Sequence, residues 1–88
     1  HLSIRRCLLD DITLLEALTQ VQELSLLENS INDISPLSEL TKLKTLNLGS
    51  NRIENISPLT KLTNLERLSL YLNNIRDISH LTRYIWSV

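Results

Sequence analysis

Leu46-Asn47-Leu48-Gly49-Ser50-Asn51-Arg52-Ile53 alternates apolar with polar or small residues as far as Gly49 and then changes period. Strict alternation is the two-residue period of a strand that buries one side. The pattern recurs in both directions at an offset of 22 residues. Leu2, Leu24, Leu46 and Leu68 form one column, and Ile4, Leu26, Leu48 and Leu70 form another two places on. Cys7, Asn29, Asn51 and Asn73 follow, then Leu9, Ile31, Ile53 and Ile75, and then Ile12, Ile34, Ile56 and Ile78. Leu15, Leu37, Leu59 and Leu81 continue the register; Leu18, Leu40 and Leu62 end at Tyr84, and Val21, Leu43 and Leu65 end at Ser87. Four units, 2–23, 24–45, 46–67 and 68–88, account for the chain, and the middle two agree best.

Each unit switches from the strand period to a spacing of three, as in Leu37, Leu40, Leu43 and Leu59, Leu62, Leu65. That spacing predicts a short helical or 3₁₀ segment with one apolar stripe. Ser35-Pro36 and Ser57-Pro58 stand at its start, where a Ser side chain is expected to accept from free amides and Pro fits the first helical position. One such unit cannot bury its own apolar side, but stacked units share a continuous Leu and Ile core. At the place where the chain leaves the strand, a buried Asn can bond turn groups that lack partners, so Asn29, Asn51 and Asn73 are expected to form a structural ladder. Cys7 takes that place in the first unit, as a small substitute.

On these columns the sequence resembles the leucine-rich repeat family over essentially all 88 residues, in its 22-residue class. Asp33-Ile34-Ser35-Pro36-Leu37 with Leu40 and Leu43, and Leu62-Thr63-Asn64-Leu65, are similar to bacterial internalin-type surface proteins. The resemblance implies an α/β solenoid: a curved right-handed coil with short parallel strands on the concave face and short helical or 3₁₀ segments on the convex face. It also implies a bacterial cell-surface or secreted chain. A nuclear regulatory subunit of type-1 protein phosphatase has repeats of the same length, which leaves the compartment open, a cytoplasmic one included. Leu14 and His80 depart from the pattern in the Pro column, and the pattern is lost after Tyr84.

Composition narrows the function classes. A net charge of −1 offers no basic field for a phosphate backbone, and no segment approaches the roughly 18 consecutive apolar residues of a membrane span, so neither nucleic acid nor membrane insertion is expected. His1 and His80 have no Cys or carboxylate at ligand spacing, which argues against a metal site, and one Cys cannot form an internal disulfide. A single glycine, Gly49, excludes a phosphate-cradling loop, and no Ser sits beside a credible base. The reading is therefore of a chain that is not an enzyme and needs no cofactor. Asn55-Ile56-Ser57 matches a glycosylation sequon, but Asn55 falls in the turn column Asp11, Asp33, Asn55, Asp77 and is read as a turn residue.

What remains is the face opposite the buried Leu. Alternation turns outward Glu23, Thr45 and Arg67; Ser25, Asn47 and Ser69; and Arg5, Leu27, Gly49 and Tyr71. These ten residues are the expected protein-binding site, with Leu27 and Tyr71 bordering a notch at Gly49. Arg6 and Glu28, adjacent at the rim, are expected to pair as surface ions. Four strands at about 4.8 Å spacing and about 10 to 13 Å long offer only roughly 200 to 250 Å². A standard interface buries about 800 Å² per partner, which favours a peptide, a partner that also uses the rim, or a longer array. The expected function is a protein-protein interaction module that binds a protein or peptide on its concave face. The alternative is a structural or regulatory repeat segment of a larger multidomain protein such as a phosphatase, kinase or GTPase regulator. The 88 residues read as one segment of a longer protein, and self-association through uncapped ends is expected of the segment alone, since Tyr84-Ile85-Trp86-Ser87-Val88 is apolar and off the repeat.

Overall fold

In a computed structural model, residues 1–76 and the backbone of Trp86–Ser87 are described. Strands β1 (Leu2–Ser3), β2 (Glu23–Ser25), β3 (Thr45–Asn47), β4 (Arg67–Ser69) and β5 (Trp86–Ser87) form one parallel sheet in sequence order. Leu2 pairs with Leu24, Leu24 with Leu46, and Leu46 with Leu68, so the 22-residue offset in the sequence is the register of the sheet. The last step is shorter: Leu68 pairs with Trp86, 18 residues on. The sequence reading left the outer edge of β4 open, and β5 covers it; Tyr84 and Ile85 lie outside the described residues.

The opposite side of each coil is a chain of tight turns. The N–H groups of Leu37, Leu40 and Leu43 donate to the carbonyls of Ile34, Leu37 and Leu40, each three residues back, and Leu59, Leu62 and Leu65 repeat the pattern. The spacing of the leucines thus equals the span of the hydrogen bond, and every turn delivers one side chain to the core. Three 3₁₀ segments result among the described residues: Thr13–Ala17, Ser35–Leu37 and Ser57–Lys61. Between this side and the strands lie Leu24, Leu26, Ile31, Ile34, Leu37, Leu40, Leu43, Leu46 and Leu48, all at most 1% exposed, with their counterparts in the next coil. Leu2, Ile4, Leu9, Leu18 and Val21 of the first coil pack on this core but are only partly buried.

The serine caps take another form. No N-cap side chain bonds the start of a 3₁₀ segment; the acceptor is the residue two places before each Ser. Asp33 Oδ1 accepts the Ser35 N–H at 2.9 Å and Asn55 Oδ1 the Ser57 N–H at 3.0 Å. In the first coil Asp11 accepts both the N–H and the hydroxyl of Thr13. The Asn55 side chain therefore closes a turn. Hydrogen bonds from Thr13 hold the Asp11 carboxyl below its usual range, the hydroxyl first, and the Ser35 N–H does the same for Asp33.

The Asn ladder is present. Asn51 Oδ1 accepts the N–H of Ile31 in the preceding coil at 3.1 Å, and its Nδ2 lies 3.0 Å from the carbonyls of Leu26 and Leu48 and 3.1 Å from that of Gly49. Asn29 makes the corresponding bonds to Cys7, Leu9, Ile4, Leu26 and Leu27, and Asn73 to Ile53, Leu48, Leu70 and Tyr71. Cys7 does not act as a buried stand-in: its thiol is exposed and donates to the carbonyl of Arg5 in its own coil.

A column the sequence reading took only as rim stands just before the ladder. Arg6, Glu28, Ser50 and Leu72 all have positive φ, between 54° and 60°. The left-handed turn aims the Glu28 N–H at the Gly49 carbonyl (2.9 Å) and the Ser50 N–H at the Tyr71 carbonyl (2.8 Å), which extends the inter-coil ladder beyond the strands.

Asn51→Ala strands several buried backbone groups and is expected to cost about 1 to 3 kcal/mol in urea melts. Asn47→Ala removes one half-buried bond, to the Gly49 N–H, and is expected to cost at most about 1 kcal/mol. Leu72→Gly relieves a left-handed turn at a site 74% exposed; a gain of about 0.5 to 1 kcal/mol in the same melts is expected.

Candidate functional site

The strands order the outward face because each buries its middle Leu. Leu24, Leu46 and Leu68 are buried; Glu23 and Arg67 are exposed, and Thr45, Ser25, Asn47 and Ser69 are half-buried. All ten predicted residues belong to this one face or its rim, and the sheet register sets them in rows: Glu23, Thr45, Arg67 and then Ser25, Asn47, Ser69.

The third row differs from the expectation. Gly49 is buried, and no notch opens there: a Cβ built on it would lie 2.6 Å from Cζ and 2.9 Å from Cδ1 of Tyr71. The Tyr71 ring therefore lies across Gly49, a space that only a glycine leaves free. Leu27 and Tyr71 are each half-buried. The sequence had the signal, a lone glycine one coil before an aromatic, and its physical reading is a seat for the ring.

The rim is electrostatically closed. Glu28 accepts from Arg5 Nε and Nη2 at 3.1 and 2.9 Å and from Arg6 Nε at 2.6 Å, so Arg5 joins the expected Arg6 pair instead of standing free on the face. Hydrogen bonds from Arg6 and then Arg5 hold the Glu28 carboxyl below its usual range. Whatever stability this carboxylate contributes is present above its unfolded pKa and is lost as pH falls through the lowered folded value.

At the other end of the strands an open groove of about 490 Å³ is lined by Gln22, Glu23, Lys44, Thr45, Glu66 and Arg67, among others. Glu23 lies 3.3 Å from His1 Nδ1. On the convex side the long polar side chains bridge coils: Lys42 Nζ donates to Gln20 at 2.6 Å and Lys61 Nζ to Glu39 at 3.0 Å. Among the described residues no group of three His, Cys, Asp or Glu is placed to hold a metal ion, and no helix is long and apolar enough to cross a membrane.

Residues 41–83 match the family model for leucine-rich repeats in two copies. No curated protein matches the chain. Among solved structures, an internalin (inlF) from Listeria monocytogenes is 33% identical with a TM-score of 0.87, covering 96% of this chain and 26% of its own. An internalin C2 (inlC2) from Listeria monocytogenes is 26% identical with a TM-score of 0.80, covering 97% of this chain and 50% of its own. The chain thus spans about a quarter of the first of these structures and half of the second.

Gly49→Ala is expected to push the Tyr71 ring off its seat and to destabilise the chain only while Tyr71 is present. A double-mutant cycle with Tyr71→Ala, read in thermal melts, is expected to show coupling of about 0.5 to 1.5 kcal/mol; no coupling would remove the ring from Gly49.

Proposed function

Because the chain is a solenoid of leucine-rich repeats resembling those of internalins, we propose that it is a non-catalytic module binding a protein or peptide on its concave strand face. The observation that carries this reading is the contrast between the two sides of the strands. The inward columns hold Leu or Ile in every coil, as stacking demands, whereas the outward columns change from Glu23 to Thr45 to Arg67 and from Leu27 to Gly49 to Tyr71. Core stacking places no demand on the Glu23, Thr45 and Arg67 row, so those identities are open to selection by a partner. The exposed face is small beside a standard interface, which accords with the 88 residues being one segment of a longer array.

A binding partner recovered by peptide or protein display tests the surface. Tyr71→Ala and Arg67→Ala are each expected to weaken its binding by at least about 1 kcal/mol. Lys42→Ala and Lys61→Ala, which remove convex bridges, are expected to leave it unchanged; the reverse order would place binding on the convex side.

A further inference from the structure

The backbone at Gly49 does not need a glycine. Its φ is not positive, and the same place holds Arg5, Leu27 and Tyr71 in the other coils, so the coil accepts a side chain there. A glycine also gives up more chain freedom on folding than any other residue. What its missing Cβ supplies is room for the ring of Tyr71. A Cβ at Gly49 would lie 2.6 Å from Cζ and 2.9 Å from Cδ1, with Cε1, bonded to both, nearer still. Contiguous ring atoms at such distances mark an approach to the face of the ring and not to its edge. Tyr71 therefore lies flat on the neighbouring coil, and what stays exposed of this half-buried side chain is turned away from Gly49.

The seat is also rigid. The Gly49 N–H donates to Asn47 Oδ1 at 3.0 Å, and the Gly49 carbonyl accepts the Glu28 N–H at 2.9 Å and Asn51 Nδ2 at 3.1 Å. The Tyr71 carbonyl accepts the Ser50 N–H at 2.8 Å and Asn73 Nδ2 at 3.2 Å. Seat and ring are thus carried by peptide groups tied into one ladder. A Cβ at Gly49 could be accommodated by the backbone only at the expense of those bonds, so it is the ring that would have to leave.

We propose that Gly49 is a positioning residue for binding: touching no partner itself, it lets the Tyr71 ring lie flat on the strand face with its outer side presented. The proposal rests on the strand-face reading above and deepens it. A side chain whose rotamer is fixed before the partner arrives loses less freedom on binding, and a rigid aromatic gives a large contact area at low entropic cost.

A fluorescein-labelled decapeptide recovered by display against the folded parent chain serves as the probe. Its Kd is read by fluorescence anisotropy at a temperature where circular dichroism shows each variant folded. Gly49→Ala and Tyr71→Ala are each expected to weaken binding at least about fivefold. The double variant is expected to bind like Tyr71→Ala alone, because without the ring the seat has nothing to position. Tyr71→Leu keeps the glycine but lacks the flat ring, and so carries the test if Gly49→Ala does not fold; it is expected to bind as weakly as Tyr71→Ala. A parent-like Kd in Gly49→Ala or Tyr71→Leu, beside a loss in Tyr71→Ala, would overturn the positioning role and leave the strand-face reading standing. A double variant weaker than Tyr71→Ala would put Gly49 in contact with the probe and overturn that role too. Binding indifferent to Tyr71→Ala and Arg67→Ala but weakened by Lys42→Ala or Lys61→Ala would overturn both.

Discussion

A single side-chain amide per coil holds this structure open as a solenoid. Where the chain turns out of the strand, carbonyls and N–H groups face inward away from the backbone ladder, and a buried peptide group without a partner costs about as much as a lost hydrogen bond. Asn51 accepts the Ile31 N–H and shares its two amide hydrogens among the carbonyls of Leu26, Leu48 and Gly49, while only 7% exposed. No aliphatic side chain can do this, and Asp lacks the donor. The placement of Ile31 and Ile53 behind it depends on that amide, since their N–H groups donate to the next coil's Asn.

The second constraint is the match between a hydrogen bond that spans three residues and leucines spaced by three. An α-helix of the same residues would rotate its stripe and span less of the coil's outer side. Linked 3₁₀ turns keep Leu37, Leu40 and Leu43 on one side. The outer polar groups are then free to bridge coils, as Lys61 does to Glu39, although such exposed pairs contribute little to stability. It is the regularity of this scaffold that makes the strand face a set of rows, of which the Glu23, Thr45 and Arg67 row lies outside the core.

Much of this was legible in the sequence because each column of the repeat is a column in space. The Leu, Ile and Asn columns needed only the period and the burial logic of alternating side chains. What could not be read were features that depend on neighbours out of column or on backbone angles. Asp33 and Asn55 were visible as turn residues, but that they, and not Ser35 and Ser57, receive the first N–H depends on one residue of offset in the turn. Nothing in the identities of Arg6, Glu28, Ser50 and Leu72 announces positive φ, since none is Gly or Asn; in the first three it accompanies an N–H donated to the next coil. Gly49 and Tyr71 are adjacent in the pattern, yet whether a gap stays open depends on a side-chain rotamer. The fifth strand breaks the 22-residue period that revealed the others.

The ladder has a direction. Each Asn reaches back: Asn51 completes the turn of the coil before it through Ile31, and Asn73 does the same for the coil that contains Ile53. Each coil's own Asn binds the carbonyls of its turn, but the N–H two residues after that Asn is answered only by the successor. A chain synthesised from its N-terminus therefore carries, at every moment, one last coil with an N–H still waiting for the next amide, and the solenoid matures one step behind its own growth. Unravelling runs the other way, since loss of the last coil reopens the turn of the one before it. Order in such an array is inherited from the C-terminal side, even though it is laid down from the other.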